Sequence, residues 1–185
     1  TIQSSNLNAS FSPQAGGGFY AIGGHQQVIE SDHDNDGNPE PIFLSNIQSN
    51  FSTSIVWADW STASGITTSN PIQTCDNASS ISTGDINGDG SDDIVAFSQN
   101  SGMACIHMAN GSSYDTVQNH TVSNGLIGAE LGDIDSDGVA EIISISSGGL
   151  LSHQSWNNST GLIYDANQTI EMNGSAGMPA GLTSL

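Results

Sequence analysis

A nine-residue pattern, D-x-[DN]-x-D-G-x-x-[DE], occurs three times in this 185-residue chain, and no other feature restricts its fold as strongly. The copies start at Asp32, Asp85 and Asp133, 53 and then 48 residues apart. In each copy side-chain oxygens recur at positions one, three, five and nine, and a glycine follows the fifth. Arms at that spacing wrap around one hard cation, and the glycine permits the sharp turn. With the seventh position counted among them, the candidate ligands of the first loop are Asp32, Asp34, Asp36, Asn38 and Glu40. Those of the second are Asp85, Asn87, Asp89, Ser91 and Asp93, and those of the third Asp133, Asp135, Asp137, Val139 and Glu141. Calcium suits this set best, because it accepts roughly six to eight oxygens in irregular geometry. Magnesium demands stricter octahedral order, and zinc favours His or Cys, which are absent from these positions.

One such loop alone reads as an acidic turn built on Asp and Asn. Three in register read as a repeat. An EF-hand starts in the same way but needs a Glu at its twelfth position and a helix on each side. The twelfth positions are Phe43, Ala96 and Ser144, which excludes it.

Short β-branched and apolar runs flank every loop. Val28 and Ile29 precede the first and Ile42 to Leu44 follow it; Ile81 to Thr83 and Ile94 to Phe97 flank the second; Ala129 to Leu131 and Ile142 to Ile145 flank the third. These runs predict strands on both sides of each loop, and no segment carries a helical period. Strand, then G-D-[IV]-[DN]-x-D-G-x-x-[DE], then strand resembles the FG-GAP or VCBS repeat of calcium-loop β-propellers, integrin α-subunit heads among them. The resemblance covers most of residues 25–176 and implies an all-β fold of antiparallel propeller-type blades; about three and a half units are short of the roughly four to eight at which propellers close, so an incomplete or intermolecularly completed propeller is expected. Residues 177–185 resemble the start of a fourth unit. The first copy departs from the pattern, with Ser31 where the others have Gly84 and Gly132, and with Pro39 and Pro41 around its last ligand. It is the copy expected to be distorted.

The charge pattern sets the partners. The chain has nineteen acidic residues and no Lys or Arg, and eleven of the nineteen occupy ligand positions. Three bound calcium ions would bring the formal charge of −19 to about −13. Without a basic side chain there is no phosphate clamp, so nucleic acid is not an expected partner. Anionic membrane surfaces are excluded on the same ground, except through bridging calcium, and no apolar run approaches the roughly 20 residues of a membrane helix.

Sequons point to the outside of the cell. N-x-[ST] occurs at Asn8, Asn50, Asn77, Asn110, Asn119, Asn157, Asn158, Asn167 and Asn173. The sequence opens without an initiator Met or signal peptide, so a mature or truncated chain of an extracellular glycoprotein is the expectation. In that compartment Cys75 and Cys105 form a candidate disulfide, with two buried thiols as the alternative.

Catalytic chemistry is not expected. His25, His33, His107, His120 and His153 are scattered, and neither G-x-S-x-G nor H-E-x-x-H is present. Trp57 and Trp60 are read as packing between blades in preference to a sugar-stacking pair. Residues 1–24 read as an extended arm with a strand at 2–11, jointed at the glycines 16–18. Two functions fit. One is a secreted, N-glycosylated, calcium-binding structural subunit of an extracellular filament, its partners being copies of itself joined by strand exchange through residues 1–15. The other is an adhesin or lectin-like propeller, or a fragment of one, binding a glycan or surface protein.

Overall fold

The computed structural model describes residues 23–32, 34–47, 52–61, 65–111, 113–115, 117–164 and 170–171. Residues 1–22 of the arm read at 1–24, the segment at 177–185, His33 and the sequons Asn8, Asn50, Asn167 and Asn173 lie outside them, and residues 23 and 24 open the first strand. Every regular element described is a strand. Fourteen strands form three antiparallel sheets. Sheet one runs β1 (Gly23–Ser31), β2 (Glu40–Ile47), β3 (Ser52–Ser61) and β4 (Gly65–Thr68), with β5 (Ile72–Gln73) also paired to β3. Sheet two runs β6 (Ser80–Gly84), β7 (Asp93–Ser98), β8 (Met103–His107) and β9 (Gln118–Thr121). Sheet three runs β10 (Leu126–Gly132), β11 (Glu141–Ser146), β12 (Leu150–Asn157) and β13 (Gly161–Tyr164), with β14 (Ile170–Glu171) paired to β12.

Each acidic loop joins the first two strands of its sheet, and the three hairpins share one register. Ser31 pairs with Glu40, Gly84 with Asp93 and Gly132 with Glu141, so every loop closes between the residue before position one and position nine. Register in a strand pair decides which face a side chain takes, because side chains alternate. The conserved closure therefore places Ile42, Val95 and Ile143 on one face of their sheets, and Ile81, Ala96 and Ile94 on the opposite face of sheet two.

Those two faces make two cores. Ile42, Leu44, Ile55 and Trp57 of sheet one pack with Ile81, Ile94, Ala96 and Cys105 of sheet two. Val95, Phe97, Ala104 and Ile106, on the other side of sheet two, pack with Leu126 and Ile142 of sheet three. The sheets thus stack face to face like propeller blades, β1 against β6 and β6 against β10, and the described residues do not close a ring. Trp57 is a core residue, its ring edge-on to Tyr114 with centroids 5.1 Å apart.

Cys75 and Cys105 are joined by a disulfide, Cα to Cα 5.6 Å, inside the first core. It fastens the segment after β5 to β8, and so ties the exit of sheet one to the middle of sheet two.

Candidate metal centre

The three loops fold alike because the first carboxylate of each gathers backbone amides. Asp32 accepts from the N–H groups of Asp36 and Gly37, both at 3.0 Å. Asp85 accepts from Asp89 and Gly90 at 3.1 and 2.8 Å, and Asp133 from Asp137 and Gly138 at 3.1 and 3.0 Å. The third position accepts from the fifth: Asp34 from Asp36, Asn87 from Asp89 and Asp135 from Asp137. The fifth in turn accepts from the amide of the seventh, where Asn38, Ser91 and Val139 stand. Such bonds hold oxygens in place, and a Val at position seven leaves only a main-chain oxygen for a ligand there.

The backbone turns left-handed twice in each loop. Position six is glycine at φ of 87, 90 and 92°. Position four is left-handed as well, at φ of 56° in Asn35, 76° in Gly88 and 64° in Ser136. Sequence reading found the first and missed the second. The signal was present, since Asn and Gly are the residues that enter this region most readily.

The loops differ in how many carboxylates converge. One oxygen each from Asp32, Asp34 and Asp36 lie within 4.8 Å of one another, as do oxygens of Asp133, Asp135 and Glu141. A calcium ion about 2.4 Å from each ligand spans about 4.8 Å between opposite oxygens, so both clusters fit it. Every side-chain donor in them is a hard oxygen, which suits calcium and not a thiophilic metal. The first loop, expected to be distorted, takes the same turn as the third. Its two prolines lie outside the stretch from position one to seven in which the amides are gathered.

The second loop is the different one. Asn87 at position three is neutral, and its amide donates to Asp89 at 2.9 Å. At position nine Asp93 is one methylene shorter than Glu40 or Glu141. Both its oxygens are engaged, accepting from Ile86 at 3.1 Å and Ala109 at 2.8 Å. Burial pushes the Asp93 carboxyl up to about 6, against the two amide bonds that favour its charge. Glu141 accepts from Ile134 at 3.1 Å and still belongs to its cluster.

Neighbouring loops are bonded to each other. The N–H at position eight of one loop donates to the carbonyl at position one of the loop before: Ala140 to Asp85 at 2.7 Å and Asp92 to Asp32 at 3.4 Å. Asp92 also accepts from the Asp32 amide at 3.2 Å, and burial raises its carboxyl above the usual range. Sequence reading assigned Asp92 and Ala140 no role.

A period of loop and flanking strands, repeated with this register, is what a family of such repeats must share. Residues 85–144 match the FG-GAP-like repeat family. The matched stretch is about a third of the chain and runs from the first ligand position of loop two to β11, beyond loop three. No curated protein and no solved structure matches the chain.

Of the candidate modification sites, Asn77, Asn110, Asn119, Asn157 and Asn158 are exposed. Among the described residues no helix is long and apolar enough to cross a membrane.

Proposed function

We propose that the chain is a calcium-binding, N-glycosylated structural subunit of an extracellular assembly, with calcium held in the first and third loops and more weakly in the second. The observation that carries this reading is the repeated loop, in which backbone amides fix converging carboxylates and no basic side chain exists anywhere to offset them. Like charges this close repel by on the order of 1 kcal/mol per pair even in water. A bound divalent cation reverses the sign of that contribution. Asp32, Asp34, Asp36 and Glu40 would hold it in loop one, and Asp133, Asp135, Asp137 and Glu141 in loop three. Its role there is to tie the hairpin closed, since a ligand that binds only the folded loop adds stability as RT ln(1 + [L]/Kd).

The outside of the cell is supported by the typically extracellular occurrence of FG-GAP-type repeats, by the five exposed sequon asparagines and by the disulfide. An adhesin or other recognition module is the second reading, favoured by the family match, and it predicts a chain that stays monomeric and binds a glycan or surface protein. Neither reading includes a catalytic step.

Thermal unfolding with excess calcium and with EGTA tests the metal. Chelation should lower Tm by several degrees, and calcium titrated back should restore it. An unchanged Tm refutes the calcium reading. An intact mass of the native protein equal to 19.0 kDa refutes the glycoprotein reading.

A further inference from the structure

The hairpin of β12 and β13 carries two overlapping sequons in the run Trp156-Asn157-Asn158-Ser159-Thr160-Gly161. Asn157 pairs with Gly161 and Trp156 with Leu162, so residues 158–160 form the turn. Gly161 takes a left-handed φ of 80°, and the Thr160 N–H donates to the Asn157 carbonyl at 3.1 Å. Both asparagines are exposed, but their side chains are used differently. Oδ1 of Asn157 accepts from the N–H groups of Ser159 and Thr160 at 2.9 and 3.1 Å, which folds that amide over its own turn. Oδ1 of Asn158 accepts from Nε1 of Trp156 at 2.8 Å. The indole is itself held in place. It is half-buried, packs on the second core with Leu162 and stands edge-on to His120, ring centroids 5.5 Å apart.

We propose that Asn158, and not Asn157, carries the N-linked glycan of this overlapping pair, and that Trp156 is the platform on which its first sugar rests. The ligand class is a pyranose joined through C1 to Nδ2. The inference rests on the glycoprotein reading above and names one of its sites.

The direction of the sugar follows from the bond that holds it. A glycosylated asparagine has a secondary amide, planar and trans as in the main chain, so C1 lies on the same side of the C–N bond as Oδ1. At Asn158 that side is the Nε1 edge of the indole, at the surface of the hairpin. The sugar ring is therefore directed toward Trp156, and the Nε1–H bond survives because Oδ1 remains an acceptor. The C–H groups of a pyranose carry a small positive charge and the face of an indole is negative. Contact between them is favourable, and it also removes apolar surface from water. At Asn157 the same rule directs C1 toward the amides of Ser159 and Thr160. Two main-chain N–H groups already occupy that oxygen, so a sugar there crowds the turn.

Glycopeptide mapping of the native protein by electron-transfer fragmentation, which leaves the sugar on its residue, tests the assignment. The sugar should be found on Asn158. A sugar on Asn157 overturns the inference. So does a bare 157–158 peptide from a protein whose intact mass exceeds 19.0 kDa, a result that leaves the glycoprotein reading standing. An intact mass of 19.0 kDa removes both. Ser159→Ala deletes the Asn157 sequon alone and should leave the occupancy unchanged; loss of the sugar from this peptide would count against Asn158. The platform has a readout of its own. Asn158→Gln should lower Tm by roughly 1–6 °C, and by less in a Trp156→Leu background, with Trp156→Phe as the milder partner. The same cycle on protein made without N-linked transfer reads only the bond from Nε1 to Oδ1 and should give the smaller coupling. Equal coupling with and without the sugar refutes the platform.

Discussion

Gly84 and Gly132 hold the same place in consecutive repeats, just before position one, and the structure predicts opposite responses to alanine. Neither has a left-handed φ, so any difference is steric. A Cβ on Gly84 would lie 2.9 Å from Cβ of Ala140, against about 3.5–4.0 Å for carbon atoms in contact. Ala140 has no flexible end to swing away, and its N–H is held by the Asp85 carbonyl at 2.7 Å. Sheets two and three must part by most of an ångström. Overpacking of this kind costs about 1–3 kcal/mol. The loss of glycine's freedom in the unfolded chain returns about 0.4–1 kcal/mol, which leaves a net loss of roughly 0.5–2 kcal/mol. For a chain of this size that is a Tm decrease of about 1–8 °C. At Gly132 the nearest atom to the new Cβ is Ile143 Cδ1 at 3.6 Å, ordinary contact, so Gly132→Ala should be neutral or stabilising by up to about 1 kcal/mol. Calcium-saturated thermal and urea unfolding of both variants measures the difference. Adding Ala140→Gly to Gly84→Ala removes the second Cβ and should recover part of the loss, a coupling that a double-mutant cycle reads directly. A Gly84→Ala protein as stable as wild type, or a Gly132→Ala protein equally destabilised, would show that the sheets do not approach as described.

Ser136→Gly should stabilise the third loop by roughly 0.5–1 kcal/mol, because Ser136 holds a φ of 64° that glycine adopts without penalty; urea unfolding checks it, and a destabilised variant counts against the loop geometry. His107 is buried against Thr74, its Nε2 3.0 Å from Thr74 Oγ1, and burial pushes its imidazole down to about 4. The unfolded chain takes up that proton near pH 6.5 and the folded chain only near 4, so stability should fall as pH drops across this window, by about 3 kcal/mol from this group. A His107→Leu variant should lose that part of the pH dependence, and matching wild-type and variant pH profiles would refute the assignment. Reduction of the disulfide, or its replacement by Cys75→Ala with Cys105→Ala, should cost about 3–4 kcal/mol from the loop of 30 residues that it closes, read as a lower Tm that added reductant lowers no further in the variant.

The sequence by itself determined the local architecture. Oxygens at fixed spacing, a glycine at position six and β-branched flanks specify a hairpin around an acidic loop whatever surrounds it, because each of these preferences acts within about a dozen residues. The three loops, the strands beside them, the all-β class and the rejection of an EF-hand were legible for that reason, and Asn35 and Gly88 marked the second left-handed turn for a closer reader. What tertiary structure decided is how unlike the three copies become once they stack. Ile86 and Ile134 occupy one position in a common motif, yet the first is core and the second surface, since among the described residues only the first has a sheet in front of it. Asp93 and Glu141 differ by one methylene, and the shorter arm spends both oxygens on the amides of Ile86 and Ala109 while the longer one stays with its loop. Pro39 looked like a defect of the first loop; the loop forms its turn regardless, because the proline stands at position eight, beyond the amides that Asp32 gathers, whereas the position-eight N–H groups of Asp92 and Ala140 bond to the loop before, a relation between repeats that local spacing does not encode. Motif spacing acts along the chain, whereas these outcomes depend on which face meets which across about 50 residues, and packing alone settles that.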